Sequence, residues 1–259
     1  MDFHRILDYI TAAQREAGAL MLSARDAVAE EKSGRRDVVT QYDRAVQALL
    51  MERLSAVDGA EFFCEELVDE SPLSGECVFI IDPIDGTMNF LKGLNHSCIS
   101  VACASRGRVM VGSVYNPYTD ELFTAVRGEG AFLNGRPIRV TDAPLADSIV
   151  HFGTSPYCDA VTEATFALAR RAYAAGLDVR RRGSAALDLC DVAAGRAGLY
   201  FEMFLSLWDY AAGALIVEEA GGVCTDMSGS PLPFDESKPS ILAGNARTAA
   251  EFAALSKDI

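Results

Sequence analysis

Cys77-Val78-Phe79-Ile80-Ile81-Asp82-Pro83-Ile84-Asp85-Gly86-Thr87-Met88-Asn89-Phe90 is a short apolar run that ends in two carboxylates three positions apart. An uncharged run of this length, closed by a proline, predicts a buried strand whose C-terminal end meets a sharp turn. Pro83 fixes its own φ and removes one backbone donor, and Gly86 permits a positive φ. In such a turn Asp82 and Asp85 converge on one point, with the Ile84 carbonyl beside them. Those are hard oxygen donors of the kind Mg²⁺ prefers. Just beyond, the Gly86 and Thr87 amides are expected to face outward as donors to an anion.

On the N-terminal side, residues 3–30 place apolar side chains at Ile6, Leu7, Ile10, Ala13, Ala17, Leu20 and Met21, the spacing of an amphipathic helix. Lys32-Ser33-Gly34-Arg35-Arg36 reads as a short basic loop. A second helix is expected from about Tyr42 to Leu54, with Asp43 at the positive end of its dipole. On the C-terminal side, Ser97–Ser105 and Val109–Val114 read as strands, and Asn134-Gly135 marks a tight hairpin. After Asp142-Ala143-Pro144 the pattern changes to alternating strand and helix. Ile149–Gly153 and Leu199–Glu202 are expected strands. Thr162–Ala175, Ala185–Ala194 and Asp209–Ala220 are expected helices, the last closed by Gly221-Gly222. An α/β (α+β) chain in two packed lobes, 1–142 and 143–259, follows from this alternation.

Half of the 259 residues are apolar, enough for a substantial core. No stretch approaches the ~20 apolar residues that cross a bilayer, and the start lacks the flanks of a secretory signal. The expectation is a cytoplasmic protein without a membrane partner. A net charge of −14 argues against a nucleic-acid partner, which usually meets a basic face. Seven cysteines without a Cys-x-x-Cys pair read as buried free thiols, and three scattered histidines make a zinc site a poor fit. Gly128-x-Gly130 fails as a dinucleotide fingerprint, because Leu133 takes the third glycine position and no helix follows.

Three acidic clusters remain: Glu65-Glu66, Asp82 to Thr87, and Trp208-Asp209. Ile81 to Phe90 resembles the first signature of the inositol monophosphatase family. Leu207-Trp208-Asp209-Tyr210-Ala211-Ala212-Gly213, running into Glu218-Glu219-Ala220-Gly221-Gly222, resembles the second. Asp37-Val38-Val39-Thr40-x-x-Asp43, Gly128-x-Gly130-Ala131-Phe132-x-Asn134-Gly135 and Gly183-Ser184-Ala185-Ala186-Leu187 fit in order around them. The resemblance therefore spans essentially the whole chain.

It implies a layered αβαβα sandwich of the inositol monophosphatase and fructose-1,6-bisphosphatase type. It also implies Mg²⁺-dependent hydrolysis of a small polyol or sugar phosphomonoester by metal-activated water, with inositol monophosphate the leading substrate. Glu65, Asp82 and the Ile84 carbonyl would hold a first Mg²⁺, and Asp82, Asp85 and Asp209 a second. A third, weaker site would lean on Glu65. Glu65 and Thr87 would orient the attacking water, Asp43 would hydrogen-bond Thr87, and Lys32 would lie on a mobile segment over the site. Asp85, Gly86, Thr87, Ser184, Ala185, Glu202 and Asp209 would contact substrate, with Glu66 a neighbouring helper. A homodimer and lithium sensitivity are implied in the same way.

Two departures bear on these expectations. Cys64 stands where the family usually has glycine, and Ser206-Leu207 replaces the histidine and cysteine of the animal enzymes beside the substrate pocket. Fructose 1,6-bisphosphate, histidinol phosphate and 3′-phosphoadenosine 5′-phosphate are the alternative substrates. Met88-Asn89-Phe90 resembles the inositol and fructose-bisphosphate branches better than the nucleotide branch. Arg180-Arg181-Arg182 reads as strand-edge surface plus one family-typical arginine, in preference to a site for a second phosphate. The alternative of another class is a regulator that binds phosphosugars or metal without turnover.

Overall fold

The computed structural model describes residues 1–67 and 73–256, with Ser33 by its backbone alone. The last three residues of the expected 143–259 lobe lie outside the described residues. The stretch around Asp82 is one strand, β4 (Cys77–Asp85), which continues through both carboxylates. Its side chains alternate between two cores, Val78 and Ile80 on one face and Phe79 and Ile81 on the other. Both faces must therefore be covered.

Parallel β3 (Ala60–Cys64) flanks β4 on one side. On the other side β5 (Cys98–Ser105), β6 (Arg108–Asn116), β7 (Glu121–Val126), β8 (Ala131–Leu133) and β9 (Arg136–Ile138) follow as antiparallel neighbours. The result is a seven-stranded sheet in that order. The β8–β9 hairpin turns at Asn134 and Gly135, with φ of 49° and 74°, as the Asn-Gly pair leads one to expect.

Helices α1 (Phe3–Ser23) and α2 (Gln41–Leu54) seal one face of this sheet with Ile10, Val46 and Leu50. The chain between them corrects the sequence reading. In place of helix to residue 30 and a basic loop, β1 (Ala29–Gly34) and β2 (Asp37–Thr40) form an antiparallel hairpin. Beyond Met21 only the small Ala24 and Ala27 pack on this core, and partly, so little repays further helix, and Asp26 breaks the path with a φ of 51°. Lys32 thus sits on a strand.

Residues beyond 142 build a second sheet from β10 (Ile149–Phe152), β11 (Asp178–Arg180), β12 (Leu199–Glu202), β13 (Val223–Thr225) and β14 (Ile241–Gly244). Its order is β11-β10-β12-β14-β13. Helices α5 (Ala185–Ala193) and α6 (Leu207–Glu219) lie between the two sheets, while α4 (Thr162–Ala175) and α7 (Ala246–Ser256) cover the outer face. A single turn, α3 (Thr87–Leu91), follows Gly86. The five layers run α-β-α-β-α.

The central helix α6 is apolar almost all round, as burial between two sheets requires. It also lies very close to β6. A side chain at Gly112 would place its Cβ 2.7 Å from the Ala212 carbonyl oxygen. Hence only glycine fits there. Six of the seven cysteines are buried, and Cys158 is partly exposed. No described helix is long and apolar enough to cross a membrane.

Candidate active site

The end of β4, the N-terminus of α6, the N-terminus of α5 and the end of β12 open onto one cavity of about 340 Å³. Each of these elements delivers a carboxylate or its support. Asp82 and Asp85 leave the end of β4, where the register with β5 shifts between them and turns both inward. Asp209 arrives from the first turn of α6. There it closes a capping box with Ser206, whose amide donates to Asp209 Oδ2 at 2.7 Å. Trp208 anchors that turn against Phe63, with ring centroids 5.5 Å apart. Oxygens of Asp82, Asp85 and Asp209 lie within 4.8 Å of one another.

Three carboxylates so close repel one another, and burial adds to the cost. Burial, with the charges of Glu65, Asp85 and Asp209, pushes Asp82 well above the ordinary carboxylate range. Burial, with the charges of Asp85 and Glu65, does the same to Asp209. Asp85 rises less, to about 7, because hydrogen bonds oppose its burial. Its Oδ2 accepts from the Ser184 hydroxyl at 2.6 Å and from the Ala186 amide at 2.7 Å, and the Ala185 amide donates to Oδ1 at 3.3 Å. Ser184 is the N-cap of α5, so one helix end both starts α5 and holds Asp85.

Gly86 has a φ of 90°, and a Cβ there would come 3.0 Å from the Gly183 carbonyl. The turn therefore needs glycine on both counts. Thr87 Oγ1 lies 3.1 Å from both Asp43 Oδ1 and the Ile84 carbonyl, two acceptors for its one proton. Asp43 is itself fixed by the Thr40 amide and hydroxyl in a capping box at the start of α2. Burial raises its pKa.

Glu65 and Glu66 follow β3. Lys32 Nζ donates to Glu65 Oε1 at 2.8 Å and also to Glu66. Glu65 lines the cavity beside Asp82, which it touches by a hydrogen bond, and is also held by the β1 lysine. Burial and the Glu65 charge push Glu66 to about 7. Glu202, on β12, is 7% exposed and accepts hydrogen bonds at both oxygens. Ser155 donates to Oε1 from its amide at 2.7 Å and its hydroxyl at 3.0 Å, and the Tyr200 hydroxyl donates to Oε2 at 2.7 Å.

Several lining residues went unread in the sequence: Arg36, Tyr157, Asp188 and Lys238. Tyr157 follows the end of β10, where ligands of open α/β sheets are commonly met, so position after an expected strand was an available signal. Asp188, 2.8 Å from His151 across the α5–β10 contact, carried none, because the two partners are far apart in sequence.

The sequence profile of the inositol monophosphatase family matches residues 2–259. The chain belongs to the inositol monophosphatase family. Among the relatives, the Nus factor SuhB of Escherichia coli K12 is 37% identical over 231 residues, covering 87% of this chain and 86% of that protein. Inositol monophosphatase 2 of Solanum lycopersicum is 40% identical over 224 residues, covering 83% and 84%. The crystal structure of the extragenic suppressor protein SuhB from Bartonella henselae superimposes with a TM-score of 0.91 at 35% identity, covering 98% of each chain. The αβαβα layering expected from the inositol monophosphatase signatures is thus the fold observed, in this chain and in its relatives.

Proposed function

We propose that the protein is a Mg²⁺-dependent phosphomonoesterase for the phosphate esters of small polyols or sugars, with inositol monophosphate as the reference substrate. One observation carries the reading. Asp82, Asp85 and Asp209 present oxygens within 4.8 Å of one another, pushed above their ordinary pKa by burial and mutual repulsion. Such a set is costly to keep charged unless a cation shares it, and its donors are the hard oxygens that suit Mg²⁺. The Ile84 carbonyl and Glu65 would complete the ligand set, with a second or third ion sharing these donors. Mg²⁺ held there would neutralise phosphate charge and acidify water.

The chain's own groups supply the rest. Thr87, hydrogen-bonded towards Asp43 or the Ile84 carbonyl, keeps lone pairs with which to accept a proton from water, and Glu65 would orient the same water. The Gly86 and Thr87 amides would receive the phosphate oxygens, where negative charge grows during transfer. Glu202, immobilised by Ser155 and Tyr200, retains lone pairs for a substrate hydroxyl. Asp85, Asp209, Ser184 and the Ala185 amide would complete the polyol contacts. Lys32 would have to leave Glu65 for that carboxylate to bind a cation, which gives the β1–β2 hairpin a gating part. A homodimer belongs to the same proposal, testable by light scattering.

A second reading, binding without turnover, has in its favour that the E. coli relative is named a Nus factor. Against it stands a complete acidic set in one cavity. Phosphate release from inositol 1-phosphate, fructose 1,6-bisphosphate, histidinol phosphate and 3′-phosphoadenosine 5′-phosphate, each with and without Mg²⁺, separates the two. Release from any of them that requires Mg²⁺ supports the phosphatase. Failure with all, in protein shown to bind Mg²⁺, leaves binding alone.

A further inference from the structure

Asp188 is a carboxylate that the proposed reaction leaves without a task. It stands in the first turn of α5, only 2% of its side chain is exposed, and it lines the cavity. Its Oδ1 lies 2.8 Å from Nδ1 of His151 on β10. His151 is buried too, and its backbone pairs with Tyr200 of β12. The other buried acids of the cavity are better supplied. Asp82 accepts from the Ile84 amide, Asp85 from the Ser184 hydroxyl and two amides, and Glu202 from two hydroxyls and one amide. Among the described residues no amide or hydroxyl donates to Asp188, so its Oδ1 and His151 Nδ1 have only each other.

A carboxylate offers about four lone-pair sites, and buried polar groups nearly always find partners. One contact with a histidine leaves most of that capacity open, on a side chain whose small exposed part meets the cavity. The cation set does not take it up, since the described cluster joins Asp82, Asp85 and Asp209 without Asp188. What remains is a donor on the molecule that fills the cavity. The neighbours show which part of that molecule. The charge of Asp188 is felt at both Asp85 and Glu202, the acids that would meet substrate hydroxyls. With His151 already against Oδ1, the open capacity suits a neutral donor in preference to a further cation.

We infer that Asp188, held by His151, accepts a hydrogen bond from a substrate hydroxyl other than the one Glu202 receives, so that the site selects phosphate esters of polyols with at least two free hydroxyls over esters of simple alcohols. The inference rests on the phosphomonoesterase reading and narrows its substrate class. His151 does not line the cavity, and it acts as a positioning residue. A pair that only fastened α5 to the second sheet would work through Ser184 and Ala186 on Asp85, and so on every ester alike. A hydroxyl contact favours the polyol.

The test compares inositol 1-phosphate with phenyl phosphate, which has no free hydroxyl, in Mg²⁺, on the wild-type protein, Asp188→Asn, His151→Leu and His151→Asn. The wild type is expected to favour inositol 1-phosphate in kcat/KM by roughly tenfold or more. Asp188→Asn should cut that preference by about tenfold, chiefly through the KM of the inositol ester. His151→Leu leaves the carboxylate without its support and should cut the preference in the same sense. His151→Asn, which returns a donor, should restore most of it. A wild type without the preference, or variants that lose activity equally on both esters, would overturn the contact. Melting temperatures report whether each variant folds, and should Asp188→Asn fail to, the two His151 variants decide by the same ratio. Should neither ester turn over, stabilisation of the Mg²⁺-loaded protein is read instead. Greater stabilisation by inositol 1-phosphate, erased in Asp188→Asn, would sink the phosphatase reading and keep the contact. Equal stabilisation by both esters would end both.

Discussion

At the scale of single residues, the site is a place where three acids are kept close at a cost. Asp82→Asn removes one of the mutually repelling charges and keeps the shape. The expected outcome is a metal-free protein at least as stable as the wild type, by on the order of 1 kcal/mol at pH 8, whose thermal stabilisation by Mg²⁺ is lost. If Asp82 is the metal ligand proposed, activity should fall by about a thousandfold or more. Calorimetric melts with and without Mg²⁺ check both halves. The same acids give a pH dependence of definite sign. Burial holds the folded pKa of Asp85 at about 7, above the unfolded value of about 4, and raises Asp82 and Asp209 further. Between those values the folded chain binds more protons than the unfolded one, so stability falls as pH rises. The metal-free protein should melt progressively lower from pH 4 to pH 7 and beyond, and Mg²⁺ should restore more as pH rises. A metal-free melting temperature that climbs over that range would refute the assignment. Asp82, Asp85 and Gly86 were legible in the sequence because their chemistry is local: a strand end, a proline, a glycine. Asp188 was not, since its partner His151 lies on another element far off in the chain.

At the scale of elements, Asp209 reaches the site only because α6 lies hard against β6. Gly112 makes that approach possible, with the Ala212 carbonyl oxygen 2.7 Å and its Cα 3.2 Å from where a Cβ would sit. Both are backbone atoms of a helix packed between two sheets, so neither yields cheaply. Gly112→Val should displace α6, lower stability by about 2–4 kcal/mol and weaken Mg²⁺ binding at a distance from every ligand. Urea unfolding and Mg²⁺ titration measure the two effects, and unchanged Mg²⁺ affinity would show that α6 does not set the position of Asp209. The helices and central strands declare themselves in sequence through periodicity. The β1–β2 hairpin does not, because Lys32, Arg35 and Arg36 carry no alternation of apolar and polar residues, and in sequence alone they read as a basic loop. Short strands such as β11 and β13, three residues each, lie below the length at which a pattern exists.

At the scale of the whole molecule, each sheet is drawn from one half of the chain, yet α5 and α6 pack against both. We expect the halves to unfold together. Trp208, the single tryptophan, sits between the site and Phe63 and reports on the join. Its fluorescence and the far-ultraviolet circular dichroism should follow one urea transition, and two separated transitions would mean independent lobes. The five-layer order was legible through resemblance to the family signatures. The meeting of residues 82, 85 and 209 in one place is what makes that architecture a site. Anomalous scattering from crystals grown with Mn²⁺ in place of Mg²⁺ measures that meeting directly. A strong peak within coordination distance of Asp82, Asp85 and Asp209 is the predicted result. Bare carboxylates, with manganese elsewhere or absent, would contradict it.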